Sequence, residues 1–237
     1  MYDAKVFLVR STIKLKIFVF IHKLYNKNDN YIITKNYMAV NGLYFIENII
    51  TNEVSAHIIQ QLDDDQDNKW IPLSANAQNN ASRVVKHFGY KYGYNSYKID
   101  EIAPPMPQNI INLRDILTEK CKELKLFDNL KDKNFVFNQC IVNNYNSGQG
   151  IKTHIDLIKF GELIGCFTLG SGAIMKFKNT NKDETYDVYT TNCSLYIMSG
   201  DARYKWTHEM PFGKSDIVNG IKIDRSRRVS VTFRYVK

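Results

Sequence analysis

Cysteine is scarce in this chain of 237 residues: Cys121, Cys140, Cys166 and Cys193 are scattered, and no two form a C-x-x-C pair. That spacing excludes a disulfide-stapled secreted scaffold and a cysteine-rich zinc framework. It suits free buried thiols in an intracellular protein, cytoplasmic before nuclear. Long apolar runs are missing too. Residues 6–9 and 17–21 are apolar, but Arg10, Lys14 and Lys16 interrupt them, so neither a membrane-spanning helix nor a signal-peptide core is expected. Acidic residues are the scarcer charge, 24 against 32 Lys and Arg, and the net charge of +8 favours an anionic partner such as nucleic acid. The positive residues are dispersed and form no basic tract.

What is present is a set of metal and carboxylate ligands in the last hundred residues. His154 and Asp156 stand two apart in Thr153-His154-Ile155-Asp156, and His208 follows far downstream. Two histidines and one carboxylate can take one face of an octahedral iron, leaving the other positions for a co-substrate and oxygen. On an extended strand His154 and Asp156 point to the same side. The β-rich run 135–142 and the turn-forming residues 146–150 supply a strand–turn–strand context. For this pair alone, a surface His and Asp on a hairpin is the alternative.

The run 225–236 reads as a strand of period two, with Arg228, Ser230, Thr232 and Arg234 on one face and Val229, Val231, Phe233 and Tyr235 on the other. Inward-facing arginines need anionic partners. A dicarboxylate suits them, since guanidinium groups grip carboxylates bidentately. An exposed edge strand with solvated arginines is the alternative.

The order Asn143-Asn144-Tyr145, His154-x-Asp156, His208, Arg228 and Arg234 resembles the AlkB family of Fe(II)- and 2-oxoglutarate-dependent dioxygenases. The resemblance implies iron on His154, Asp156 and His208, with Asn143 and Tyr145 hydrogen-bonding 2-oxoglutarate. It implies Arg228 on the distal carboxylate of 2-oxoglutarate, Arg234 supporting the metal-proximal end, and oxygen as the oxidant. The stretches 83–92, 147–151, 169–171 and 203–208 are similar to the oxygenase domain of the eukaryotic AlkB branch that hydroxylates wobble uridine in tRNA. RNA, specifically tRNA, is then the expected partner ahead of DNA, with no membrane. That branch carries a structural zinc bound in part four residues after the first iron ligand. Ile158 holds that position here, so no structural zinc is expected. Oxidative demethylation of N-alkylated bases is the second expectation. A non-catalytic nucleic-acid-binding protein or a protein hydroxylase is the third.

Taken in order, residues 1–40 are expected to be an N-terminal extension and 41–237 the dioxygenase domain. Residues 42–50 read as a strand leading to a helix capped by Thr51, with Val54, Ile58, Ile59 and Leu62 on its apolar face. Residues 63–67 read as a solvated acidic turn and 74–82 as a polar loop. Residues 83–97 alternate as a strand or hairpin with its aromatics on one face. Arg83, Lys86, His87, Phe88, Tyr90 and Tyr92 are the candidate substrate contacts, because rings stack on an extruded base while cations meet phosphates. Ordinary core packing is the alternative for each ring. Three of only five prolines gather at 104, 105 and 107 as a rigid connector. Residues 109–126 then read as an amphipathic helix. Short β segments at 135–142, 163–169, 173–177, 185–188, 194–198 and 230–235 complete a mostly β (α+β) chain, a jelly roll or sandwich with helices outside one sheet. In the resembling family this architecture is a double-stranded β-helix.

Overall fold

The computed structural model describes residues 32–34, 40–73, 82–99 and 101–237. The apolar runs at 6–9 and 17–21, and all of the polar loop but Ser82, lie outside these residues. In chain order the elements are β1 Ile32–Thr34, β2 Leu43–Glu47, α1 Asn52–Asp64, β3 Ile71–Pro72, β4 Val84–Phe88, β5 Tyr90–Lys91 and β6 Glu101–Ile102. There follow α2 Gln108–Glu123, β7 Gln139–Tyr145, β8 Ile151–His154, β9 Ile164–Gly170, β10 Ala173–Asn179, β11 Thr185–Thr190 and β12 Ser194–Met198. The chain continues with α3 Gly200–Tyr204, β13 Trp206–Met210, β14 Ser215–Val218, β15 Ile221–Asp224 and β16 Arg228–Arg234.

Eight strands form a large sheet in the order β1-β2-β12-β9-β16-β7-β4-β3, and four form a smaller one in the order β11-β10-β13-β8. Every pairing is antiparallel. The sheets face each other as a jelly roll, and two short hairpins, β5–β6 and β14–β15, stand apart. One apolar core packs the large sheet against the helices through Ile58, Leu62, Leu113, Leu117, Phe167, Val231 and Phe233. A second, with Phe45, Tyr145, Met175, Phe177, Tyr196 and Trp206, lies between the sheets. Each fully buried side chain of this size contributes about 1.5–3 kcal/mol.

The helices explain the first core. Thr51 caps α1, its Oγ1 accepting the Val54 N–H at 3.3 Å, and Ser55, Ile58 and Leu62 turn inward. Val54, expected on that face, is 43% exposed because the helix meets the sheet one residue later, at Ser55. The acidic stretch starts inside the helix: α1 continues through Asp64, residues 65–67 form the expected, largely exposed turn, and the exposed Asp63 takes two bonds from Arg227, both 2.7 Å. α2 buries Ile110, Leu113, Leu117 and Cys121 and ends before the expected residue 126, where Lys125 turns to φ 55°. It lies close on β9 because Gly165 has no side chain; a Cβ there would come within 2.4 Å of Leu117.

The expected strand 135–142 is displaced. Phe135 and Phe137 are buried in the helix-side core, but the ladder begins at Gln139 and runs on through Tyr145. That shift places Asn143 and Tyr145 in a strand rather than after one.

Candidate active site

The site is built on β16, which lies between β9 and β7 and is buried along its whole length. Its alternation is the expected one. Val229, Val231 and Phe233 enter the helix-side core. Arg228 and Arg234 on the other face make their contacts between the sheets. The register sets Arg228 opposite Tyr145, Ser230 opposite Asn143 and Arg234 opposite Gln139. One end of the strand thus carries Arg228 with Asn143 and Tyr145, and the other carries Arg234.

In the smaller sheet β8 and β13 pair so that His154 stands opposite His208, their ring centroids 4.3 Å apart. Asp156 does not share the strand with His154 as expected. β8 ends at His154, and the Asp156 and Leu157 carbonyls turn to the Arg203 guanidinium, at 2.9 and 2.5 Å, instead of to a neighbouring strand. The carboxylate nevertheless returns to the histidines. One ligand atom from each of His154, Asp156 and His208 lies within 4.8 Å of the others.

The hydrogen bonds at this centre are incomplete. Arg234 sends both Nε (3.0 Å) and Nη2 (2.8 Å) to Asp156 Oδ1, leaving Asp156 Oδ2 and Arg234 Nη1 buried without a partner. Arg228 donates from Nη2 to Thr168 Oγ1 at 3.0 Å while its Nε is unpartnered, and no carboxylate among the described residues pairs with it. Buried polar atoms are nearly always satisfied, and a buried unpaired cation is costly. Two histidines and a bare carboxylate oxygen fit a divalent ion, and two arginines with free donors fit a dicarboxylate beside it. Asn143 and Tyr145 flank that second position. Asn143 receives Arg83 Nε at 2.7 Å and donates to Ser230 at 3.4 Å, and the Tyr145 ring lies 5.6 Å from the Arg228 guanidinium.

Electrostatics agree with this geometry. Burial opposes the charge of Asp156, but Arg234, followed by the two histidines and Arg203, holds its carboxyl well below the usual carboxylate range. Burial, then His154, lowers His208 to about 3. Its 3.6 Å approach to Asp156 is therefore no ion pair: the ring is neutral and keeps a lone pair for a metal.

The expected alternation through residues 83–97 breaks at Gly89. Its φ is +76°, and a Cβ there would meet the Asn138 carbonyl oxygen at 2.0 Å, so glycine is required. The faces exchange at this kink. Phe88 enters the helix-side core, and Lys86, fully buried, lies beside Asp65 and 5.1 Å over Trp70. Neither is brought to the site. Tyr92 and Tyr94 turn instead to His87, with Tyr94 5.9 Å from that ring, Tyr92 4.8 Å from Tyr94, and Phe160 5.9 Å from Tyr92. Phe160 in turn lies 4.8 Å from the Arg234 guanidinium. Arg83, His87 and Tyr92 therefore border the site, and Tyr90 opens the β5–β6 hairpin. Burial pushes Tyr94 up to about 12.

Four site residues escape the sequence reading. Tyr94 belongs to the tyrosine-rich stretch and could have been found there. Thr168 sits in an expected strand, but nothing in its neighbourhood marks it. Phe160 carries no local signal, and Arg203 opens the stretch 203–208, whose resemblance to the family is the one pointer to it. Among the remaining histidines, His57 is exposed on α1 and His22 lies outside the described residues.

Residues 42–234 match the 2OG-Fe(II) oxygenase superfamily. An uncharacterized protein of Acanthamoeba polyphaga mimivirus is 37% identical over 164 residues, 66% of this chain and 75% of that protein. The tRNA (carboxymethyluridine(34)-5-O)-methyltransferase alkbh8 of Xenopus tropicalis is 28% identical, covering 83% of this chain. The Alkylated DNA repair protein ALKBH8 homolog of Arabidopsis thaliana is 29% identical, covering 84%. The chain spans 32% of the Xenopus relative and 60% of the Arabidopsis one. Among solved structures, that of OsALKBH1 shares the fold, with a TM-score of 0.60 at 17% identity over 84% of this chain and 98% of that one.

Proposed function

The chain belongs to the 2OG-Fe(II) oxygenase superfamily, and from that premise we propose that it oxidises a modified base in nucleic acid, first of all a wobble-uridine modification in tRNA. Membership makes it a dioxygenase using Fe(II), 2-oxoglutarate and oxygen. His154, Asp156 and His208 hold the iron, and Arg228, Asn143 and Tyr145 hold the keto acid. The observation that carries this assignment is the convergence of His154, Asp156 and His208, with Asp156 Oδ2, Arg228 Nε and Arg234 Nη1 left buried without partners.

When bound, iron and 2-oxoglutarate supply the oxidation of a substrate C–H bond, with decarboxylation of the keto acid to succinate. The protein supplies placement. Arg234 occupies one oxygen of Asp156 and leaves the other for the ion. Neutral His208 offers its ring nitrogen. Arg228 fixes the far carboxylate of the keto acid. Tyr92 and Tyr94, half-buried and packed against the buried rings of His87 and Phe160, offer the stacking faces an extruded base requires. The excess of basic residues and the tRNA named in the Xenopus relative support an RNA substrate.

The name of the Arabidopsis relative favours a second reading, repair of N-alkylated bases. A carbon hydroxylated next to a ring nitrogen forms a hemiaminal that collapses, so the alkyl group is lost; a carbon bound to carbon keeps its hydroxyl. The test is succinate formation with Fe(II) in the presence of wobble-modified tRNA, N-methylated oligonucleotides or no nucleic acid, with His154→Ala alongside. Stimulation by tRNA, absent from the variant, is the expected result. Stimulation by methylated oligonucleotides alone moves the reading to repair, and turnover that no nucleic acid stimulates overturns both.

A further inference from the structure

Arg203 is the largest fully buried side chain among the described residues, 1% exposed, and it has no carboxylate within ion-pair distance there. Four backbone carbonyls satisfy it instead. Nε donates to Gly161 (3.2 Å), Nη1 to Asp156 (2.9 Å), and Nη2 to Leu157 (2.5 Å) and Phe160 (3.1 Å). All four belong to the loop 156–161. That loop has left the ladder of β8, and its own tethers are few: the Phe160 N–H reaches Leu157, the Gly161 N–H reaches Tyr235, and one bridge joins Phe160 to Val236. A planar fork of donors is suited to fixing several acceptors at once.

Arg203 also stands at the end of α3, five residues before His208, and α3 is short and runs directly into β13. The guanidinium therefore ties the segment carrying one metal-ligand candidate to the loop carrying another. The contact is to the main chain of Asp156 itself, while Arg234 holds its carboxylate. Removing a partner that orients a metal ligand typically weakens metal binding by roughly 10- to 100-fold.

We propose that Arg203 is a positioning residue that sets the Asp156 carboxylate against His154 and His208 by clamping loop 156–161. The proposal rests on the assignment of those three residues as metal ligands. A lysine would supply one centre of donors where the loop presents four dispersed acceptors, so charge without the fork is expected to be insufficient.

The test is Mn(II) binding to the full chain, followed by the paramagnetic resonance signal of the free ion, together with the melting temperature of the metal-free protein. The variants are Arg203→Met, Arg203→Lys, Arg225→Met and His154→Ala. Arg225 is a buried arginine at the foot of the β14–β15 hairpin, paired with Asp216, and serves as a control of similar structural cost. The expected result is that Arg203→Met and Arg225→Met both lower the melting temperature, while only Arg203→Met weakens Mn(II), by roughly 10- to 100-fold. Arg203→Lys is expected to weaken Mn(II) several-fold. Wild-type affinity in Arg203→Lys overturns the proposal, even if Arg203→Met fails to fold, as does an equal loss of affinity in Arg203→Met and Arg225→Met. Unchanged Mn(II) binding in His154→Ala is a different failure, that of the metal-site assignment itself.

Discussion

Among the described residues two arginine–aspartate pairs are buried, one at the foot of the β14–β15 hairpin and one between the two sheets, and they are completed differently. At the hairpin, Arg225 reaches both oxygens of Asp216, with Nε at 2.6 Å from Oδ2, and its Nη1 donates to the Pro211 carbonyl at 2.6 Å. The Ile174 N–H adds a further bond to Asp216. Between the sheets, Arg234 spends two donors on one oxygen of Asp156, and the other oxygen and Nη1 are left over. The same residue types are thus closed by the chain's own atoms where only the shape of a hairpin is at stake. Where atoms are left over, their unused donors and lone pairs stand available to a bound ion and an anion.

Breaking the two carboxylates separates the roles. Asp156→Ala is expected to remove metal-dependent succinate formation, a loss beyond the roughly 100-fold that attends the loss of a merely supporting group. Asp216→Ala should leave turnover per folded molecule close to wild type. Equal losses in the two variants would erase the contrast.

Stability should fall in both variants, because Asp156→Ala strands the buried Arg234 as Asp216→Ala strands Arg225. Asp216→Ala strands Arg225 in a closed, buried environment and is expected to cost about 3–5 kcal/mol in urea unfolding. A ligand can restore part of such a loss only where it binds. Mn(II) with 2-oxoglutarate at 100 times the dissociation constant should raise the unfolding free energy by about 2.7 kcal/mol in wild type and in Asp216→Ala. No such gain is expected in Asp156→Ala. A chelator should return the wild type to its metal-free value.

The same contrast marks what could be read from the sequence. The period-two pattern of β16, with Arg228 and Arg234 on one face, is local and survives folding unchanged. The strands at 163–169, 173–177 and 194–198 are found within one or two residues, because each is an apolar run bounded by turns. What escaped depends on contacts distant in sequence. Gly89 looks like any glycine until the Asn138 carbonyl lies against it, and its kink sends Phe88 and Tyr92 to opposite sides. Asp156 leaves its strand because Arg203, 47 residues on, takes its carbonyl. The β14–β15 hairpin is the exception, for its signal is local: Asn219 and Gly220, both at positive φ, form the two-residue turn between Val218 and Ile221.

The smallest effect expected tests the cluster of His87, Tyr92 and Tyr94 rings around the Gly89 kink. Burial, then the positive charges of Arg234 and Lys91, lowers His87 from its ordinary 6.5 to about 4, and its Nδ1 accepts the Tyr92 N–H at 3.3 Å. The unfolded chain binds this proton more readily than the folded one. The stability His87 contributes is therefore fully present above pH 6.5 and is lost as pH falls toward 4, amounting to roughly 2 kcal/mol between pH 7 and pH 5. His208 is shifted in the same direction and would add its own acid sensitivity, so the wild type alone cannot separate them. His87→Gln removes one titration and leaves the other. The difference in unfolding free energy between wild type and His87→Gln should shrink by roughly 2 kcal/mol from pH 7 to pH 5, measured by urea unfolding of the metal-free proteins. If the two proteins lose stability in parallel, His87 is as well solvated folded as unfolded, and the rings of Tyr92 and Tyr94 do not enclose it.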